Sequence, residues 1–143
     1  MRQKQLTITS FPFVTSDKVR YSDTDRQGHV NNAVFATFFE TGRVEMLYHP
    51  SNKLLSEDCS FVVAKSTIEL LSEIHWPGQV EIGTGVVRIG NSSLVIAANL
   101  YQNGQLVACS ETIVVQVNNQ TKTSQLLEGK IKNQLEKFKL AFE

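Results

Sequence analysis

The stretch Arg20-Tyr21-Ser22-Asp23-Thr24-Asp25-Arg26-Gln27-Gly28-His29-Val30-Asn31-Asn32 runs without a break into the apolar segment Ala33 to Tyr48. From Asn32 to Tyr48 there is no proline and, apart from Gly42, no glycine. Phe35, Phe38, Phe39, Gly42 and Met46 recur at helical spacing, which predicts one helix. Val34, Ala36, Val44 and Leu47 widen its apolar side until only Thr37, Glu40, Thr41 and Glu45 remain as a polar strip, so most of the helix should face protein. It is the expected core of the domain. Asn31 suits the N-cap and Pro50 the stop, because a residue before proline is pushed out of helical geometry. The N–H groups near Asn32, Ala33 and Val34 then lack helical partners at the positive end of the helix dipole, where an anionic oxygen is stabilised.

The other elements follow from shorter patterns. Residues 13–22 carry Phe13, Val14, Val19 and Tyr21 among polar neighbours and predict a first strand that delivers the Asp-rich loop. Pro50 to Ser60 is polar and rich in turn formers. Phe61 to Ile74 reads as one long strand. Trp76-Pro77-Gly78 predicts a type II turn. Strands over 79–89, 93–102 and 105–117 are separated by Gly90-Asn91-Ser92 and by Asn103-Gly104, a strong hairpin signal. One long helix with about five mostly hairpin-linked strands makes an α+β domain with an antiparallel sheet. Leu127, Ile131, Leu135 and Phe138 share a face and predict an amphipathic helix at about 124–139 that packs on the same domain. No repeat or linker divides the 143 residues, which suits a single domain.

Composition narrows the partners. Fourteen basic residues balance fourteen acidic ones with no Lys/Arg cluster, which gives no electrostatic case for nucleic acid or for an anionic membrane surface. The first twelve residues hold no signal-peptide apolar run, and nowhere are there about 18 consecutive apolar residues. A soluble, cytoplasmic protein is the expectation. Cys59 and Cys109 lack a Cys-x-x-Cys partner and read as reduced thiols.

Several chemistries fail on spacing. Asp23-x-Asp25-x-Gln27-Gly28 opens like a calcium loop, but Val34 stands where the bidentate Glu is needed. Gly83-Thr84-Gly85 has Arg88 in place of a third glycine and sits in a sheet hairpin, not before a helix. His29, His49 and His75 have no metal-ligand spacing, and no Gly-x-Ser-x-Gly elbow is present. Neither a metal nor a bound cofactor is expected.

Asp-x-Asp-x-x-Gly-His-Val-Asn-Asn followed by an aromatic-rich helix with Glu40-x-x-Arg43 resembles the hotdog-fold thioesterases of the 4-hydroxybenzoyl-CoA thioesterase class, which includes short acyl-CoA thioesterases. The resemblance is sharp over residues 19–48, looser over 61–118, and says little beyond about 120. It implies a sheet wrapped around the central helix, hydrolysis of acyl-CoA or aryl-CoA, and assembly as a homodimer or homotetramer with sites at subunit interfaces. It puts catalysis on Asp25, either attacking the carbonyl directly or activating water, and the oxyanion donor on the backbone N–H of Asn32. Gln27 and His29 align with an Asn and a His that assist the Asp in plant acyl-carrier-protein thioesterases, with Gln27 longer by a methylene. Gly28, Gln27 and Phe35 are the substrate-side candidates. Arg20, Arg26, Lys65 and Arg88 are candidates for the phosphates of CoA.

Read from the residues alone, His29 either orients or protonates a leaving group or is a polar helix-entry residue. Asp23 reads as a carboxylate that accepts loop N–H bonds. Glu73 reads as part of an exposed strand face with Lys65 and Glu69, whereas the resemblance lines it up loosely with an acidic catalytic residue of the plant enzymes, and Glu40 and Arg43 read as a helix pair. Phe35, Phe38 and Phe39 line an acyl tunnel or pack the core. Two other readings stay open at this stage: hydrolysis of acyl-carrier-protein thioesters, and a hotdog domain that binds acyl thioesters without turnover.

Overall fold

The computed structural model describes residues 2–141. Its elements in chain order are β1 (Phe13–Val19), α1 (Val34–Tyr48), β2 (Cys59–Leu70), β3 (Gly78–Ile89), β4 (Ser93–Gln102), β5 (Gln105–Asn118) and α2 (Gly129–Glu136), with single 3₁₀ turns at Arg2–Gln5, Ile8–Ser10 and Tyr21–Asp23. The five strands form one antiparallel sheet in the order β1-β3-β4-β5-β2. The α+β class and the sheet around one long helix are as expected.

The sheet's inner face takes α1. Phe35, Phe38 and Phe39 bury against Val80, Ile82, Ala98 and Leu100, while Met46 and Leu47 bury with Val86, Leu94, Ile96 and Val114. Each such side chain removed from water contributes about 1.5–3 kcal/mol, so packing, not helix propensity, holds α1 in place. Gly42 lets the helix approach. A Cβ there would lie 2.5 Å from Ile82 Cγ2 and 2.7 Å from Thr84 Oγ1.

Four expectations need correction. The first strand ends at Val19, because residues 21–23 coil into a 3₁₀ turn. The long strand ends at Leu70, and residues 71–77 form a loop. Gly78 has φ +156°, not the about +80° of a type II turn, and already opens β3, so the chain bends there without that turn. The helix expected over about 124–139 has eight residues, Gly129–Glu136. Ser124 instead bridges Val117, and the Gln116 amide donates to the carbonyls of Gln125 and Leu126, which keeps this stretch extended. Leu127, Ile131 and Leu135 are nonetheless buried, and Phe138 packs beside them.

The outer face of the sheet is covered by the chain itself. Phe11 and Leu140 pack on Ala97 and Tyr101, and the Gln3 amide donates to Ala98, Asn99 and Ser110. Asn99, fully buried, returns a bond to the Gln3 carbonyl. Cys59 and Cys109 are buried free thiols. No helix among the described residues is long and apolar enough to cross a membrane.

Candidate active site

The Asp-rich motif folds as a small hairpin between β1 and α1. Thr24 bridges Val30, the Asp25 N–H donates to the His29 carbonyl at 2.8 Å, and the Gly28 N–H closes the turn on the Asp25 carbonyl at 3.2 Å. Gly28 has φ +90°, a conformation open to glycine and strained for other residues, and open space lies above it. Residues opposite each other across an antiparallel pair point to the same side, so the Asp25 carboxylate and the His29 imidazole share one face.

The two aspartates divide the work. Asp23 Oδ2 accepts the Arg20 N–H at 2.8 Å, and its carbonyl accepts the Asn31 N–H at 2.8 Å. It ties the loop to the helix entry, the role read for it from sequence. Asp25 Oδ1 accepts the Gln27 N–H at 2.8 Å, which fixes the carboxylate, while Oδ2 has no partner among the described residues. Asp25 is exposed and therefore open to a ligand.

The helix entry is tighter than the sequence suggests. Regular α1 begins at Val34 and Ala33 occupies the cap position, two residues later than the expected Asn31. Asn31 still caps through space: its Oδ1 accepts the Ala33 N–H at 3.0 Å and its carbonyl accepts Val34 at 2.9 Å, while Phe35 donates to Asn32 at 3.3 Å. Asn31, Ala33, Val34 and Phe35 thus all spend their N–H groups internally. Among the described residues no acceptor takes the N–H of Asn32.

His29 acquires a partner that sequence reading misplaced. Glu73 is not on β2; it lies in the loop after it, with Oε2 at 3.1 Å from His29 Nε2 and Oε1 at 3.8 Å from His75 Nε2. His29 and His75 are backbone bridge partners with rings 6.0 Å apart, and Val30 donates to the Ile74 carbonyl at 2.9 Å. Buried Gln102 clamps the loop from below, accepting from the His75 N–H and donating to its carbonyl, both at 2.9 Å. Nothing in the sequence signals that Gln102 reaches His75, because residues 71–74 read as a continuation of the strand before them. Among the described residues no group of three or more His, Cys, Asp or Glu is placed to hold a metal.

The remaining candidates are placed as follows. Gln27 sits exposed on the turn, joined to Asp25 through its backbone. Phe35 is buried in the core with Val30 and Ile74. Glu40 and Arg43 form no ion pair within the described residues; both line a cleft of about 230 Å³ between α1 and β2, with Thr37, Phe39, Ser66 and Ile68. Burial pushes the half-buried Arg43 guanidinium below its ordinary value, against the opposing pull of Glu40. Arg20, at the end of β1, is engaged by Asp17 and Asp23, whereas Arg88 lies at the far end of β3 from the motif.

The same fold occurs in known proteins. The sequence profile of the thioesterase-like superfamily matches residues 19–137. The acyl-CoA thioester hydrolase YbgC of Escherichia coli O6:H1 is 32% identical over 105 residues, 71% of this chain and 78% of that protein. A predicted thioesterase from Bacillus stearothermophilus superposes with a TM-score of 0.81 at 29% identity, over 92% of this chain and 98% of that one. A Thermus thermophilus thioesterase, solved with coenzyme A and Zn, gives 0.77 at 27% identity, over 89% and 94%. With a profile match across most of its length and a relative above 30% identity, the chain belongs to the thioesterase-like superfamily, as a hotdog-fold thioester hydrolase.

Proposed function

We propose that this protein hydrolyses acyl-CoA or aryl-CoA thioesters to the free acid and CoA, with Asp25 as the catalytic carboxylate. The observation that carries the reading is the unclaimed Asn32 N–H at the entry to α1, in a loop that also leaves one oxygen of Asp25 free. In the forward reaction the thioester carbonyl oxygen sits on the Asn32 N–H, and the nearby helix dipole favours the charge that develops there. Asp25 either takes a proton from water as the water oxygen bonds to the carbonyl carbon, or bonds to that carbon itself and is released by water in a second step. The tetrahedral intermediate re-forms its C=O bond, the C–S electron pair leaves with sulfur, and the CoA thiolate takes a proton from His29 or from water. Glu73, with Oε2 at 3.1 Å from His29 Nε2, holds the imidazole in position. Gln27 and Gly28 shape the turn over which the thioester lies.

The relative from E. coli supports the CoA ester, and the Thermus thioesterase was solved with coenzyme A. Assembly as a homodimer or homotetramer belongs to the same proposal. β2 ends the sheet and shows Val62, Val63 and Leu70 to solvent; Tyr48 of α1, itself exposed, is hydrogen-bonded to Phe61 of this strand. An open strand edge with apolar side chains is a pairing surface, and a second copy is the partner that the family resemblance implies.

The test is release of free thiol from a panel of acyl- and aryl-CoA esters by the purified protein. Turnover is expected on at least one ester, and the panel then names the acyl class. Absence of turnover on every ester would overturn the CoA assignment.

A further inference from the structure

We infer that Tyr21 and Trp76 form a stacking surface for the adenine ring of coenzyme A at the lip of the site. The inference rests on the acyl-CoA reading above and extends it to the part of the substrate that does not react. Tyr21 is 72% exposed and Trp76 44% exposed, an unusual outlay of large aromatic surface in two neighbouring side chains. Their ring centroids lie 5.1 Å apart with planes at 65°. In such an edge-to-face contact each ring keeps at least one face clear of the other, so a flat ligand can still stack on either ring. Among the described residues the Tyr21 hydroxyl and the Trp76 indole N–H have no hydrogen-bond partners, which leaves two polar handles for ribose or phosphate oxygens.

Both rings are carried by segments that build the catalytic loop. The Tyr21 carbonyl accepts the Thr24 N–H at 3.1 Å and the Thr24 hydroxyl at 2.7 Å, immediately before Asp25. Trp76 follows His75, the bridge partner of His29. The pair is therefore anchored through both segments that hold Asp25 and His29. Arg26, exposed on the intervening turn, has no ion-pair partner among the described residues, whereas Asp17 and Asp23 are occupied by Arg20. Aromatic faces with a guanidinium on the same loop match a purine that carries phosphates better than an aliphatic chain, which has neither π-face nor charge.

Trp76 is the only tryptophan of the chain, so its emission reports on this surface directly. Coenzyme A and adenosine 3′,5′-bisphosphate are expected to quench it saturably, and pantetheine to leave it unchanged. Loss of the stack in Trp76→Ala is expected to raise KM for an acyl-CoA ester roughly ten-fold. The same variant should leave kcat/KM unchanged for that acyl group on N-acetylcysteamine, which has no nucleotide, and Trp76→Phe should recover most of the KM. Tyr21→Ala should weaken quenching by both nucleotides. Unquenched emission at concentrations of coenzyme A well above the KM of its ester, or equal losses on the two thioesters in Trp76→Ala, would overturn the inference while leaving the thioesterase reading intact. Quenching by the nucleotides without hydrolysis of any ester would uphold the surface and remove the reaction.

Discussion

Asp25 has one carboxylate oxygen fixed by the Gln27 N–H and the other free, which orients the group without consuming it. Asp23, two residues earlier, has both its carboxylate and its carbonyl engaged by the loop. That difference, not residue type, separates the catalytic candidate from the structural one. His29 is held differently, by a carboxylate from another part of the chain. Glu73→Ala is expected to lower kcat several-fold with little change in KM, since it frees the imidazole but touches no substrate, and Glu73→Gln should recover part of the loss by keeping an acceptor. His29→Ala should cost more, on the order of 10²-fold, if the imidazole transfers the proton. Steady-state kinetics on one ester read all three. Away from the site, burial pushes the Cys109 thiol from 9.0 up to about 11. The unfolded chain ionises this thiol first, so the stability it contributes is complete below about 9 and is lost as pH rises to about 11. Melting temperature should therefore fall more steeply over that window in the native protein than in Cys109→Ala.

At the level of elements, α1 decides the fold because the sheet closes around its apolar side, and Gly42 sets how near it lies. Gly42→Ala would press a methyl group against Ile82 and Thr84, and is expected to cost about 1–3 kcal/mol, read as a lower midpoint in urea. Unchanged stability would mean that the helix can ride outward freely. The helix and the strands over 78–118 were legible in sequence because their patterns are long and are bounded by Gly90 and by Asn103-Gly104. The ends were less so. Ser72 to His75 continues the polar and apolar mix of β2, and nothing local reveals that Gln102 captures His75 or that Ile74 pairs with Val30. For the same reason Glu73 read as a strand residue although it lies beside His29. The run 124–128 looked helical because Leu127 is in phase with Ile131, but the Gln116 amide, distant in sequence, holds it extended. Asp23 and Asp25 were identifiable from the motif, whereas the free N–H of Asn32 emerges only once its neighbours' partners are known.

On the scale of the whole molecule, the two faces of the sheet are used unequally. The inner face packs α1, and the outer face is closed by residues from both ends of the chain. What stays open is the β2 edge with its exposed valines. Val63→Lys is expected to shift the protein toward the monomer in light scattering coupled to size exclusion, with secondary structure retained by circular dichroism. A wild type that elutes as a monomer at all concentrations would remove the pairing surface. The proposed site lies at one end of the sheet, where β1, the β2–β3 loop and α1 meet. The most direct test of that placement is kcat on the best CoA ester for wild type and Asp25→Asn, with the fold of each checked by circular dichroism. A loss on the order of 10³-fold or more with the fold retained is the predicted result, whereas turnover close to wild type in Asp25→Asn would contradict the assignment of the reaction to this carboxylate.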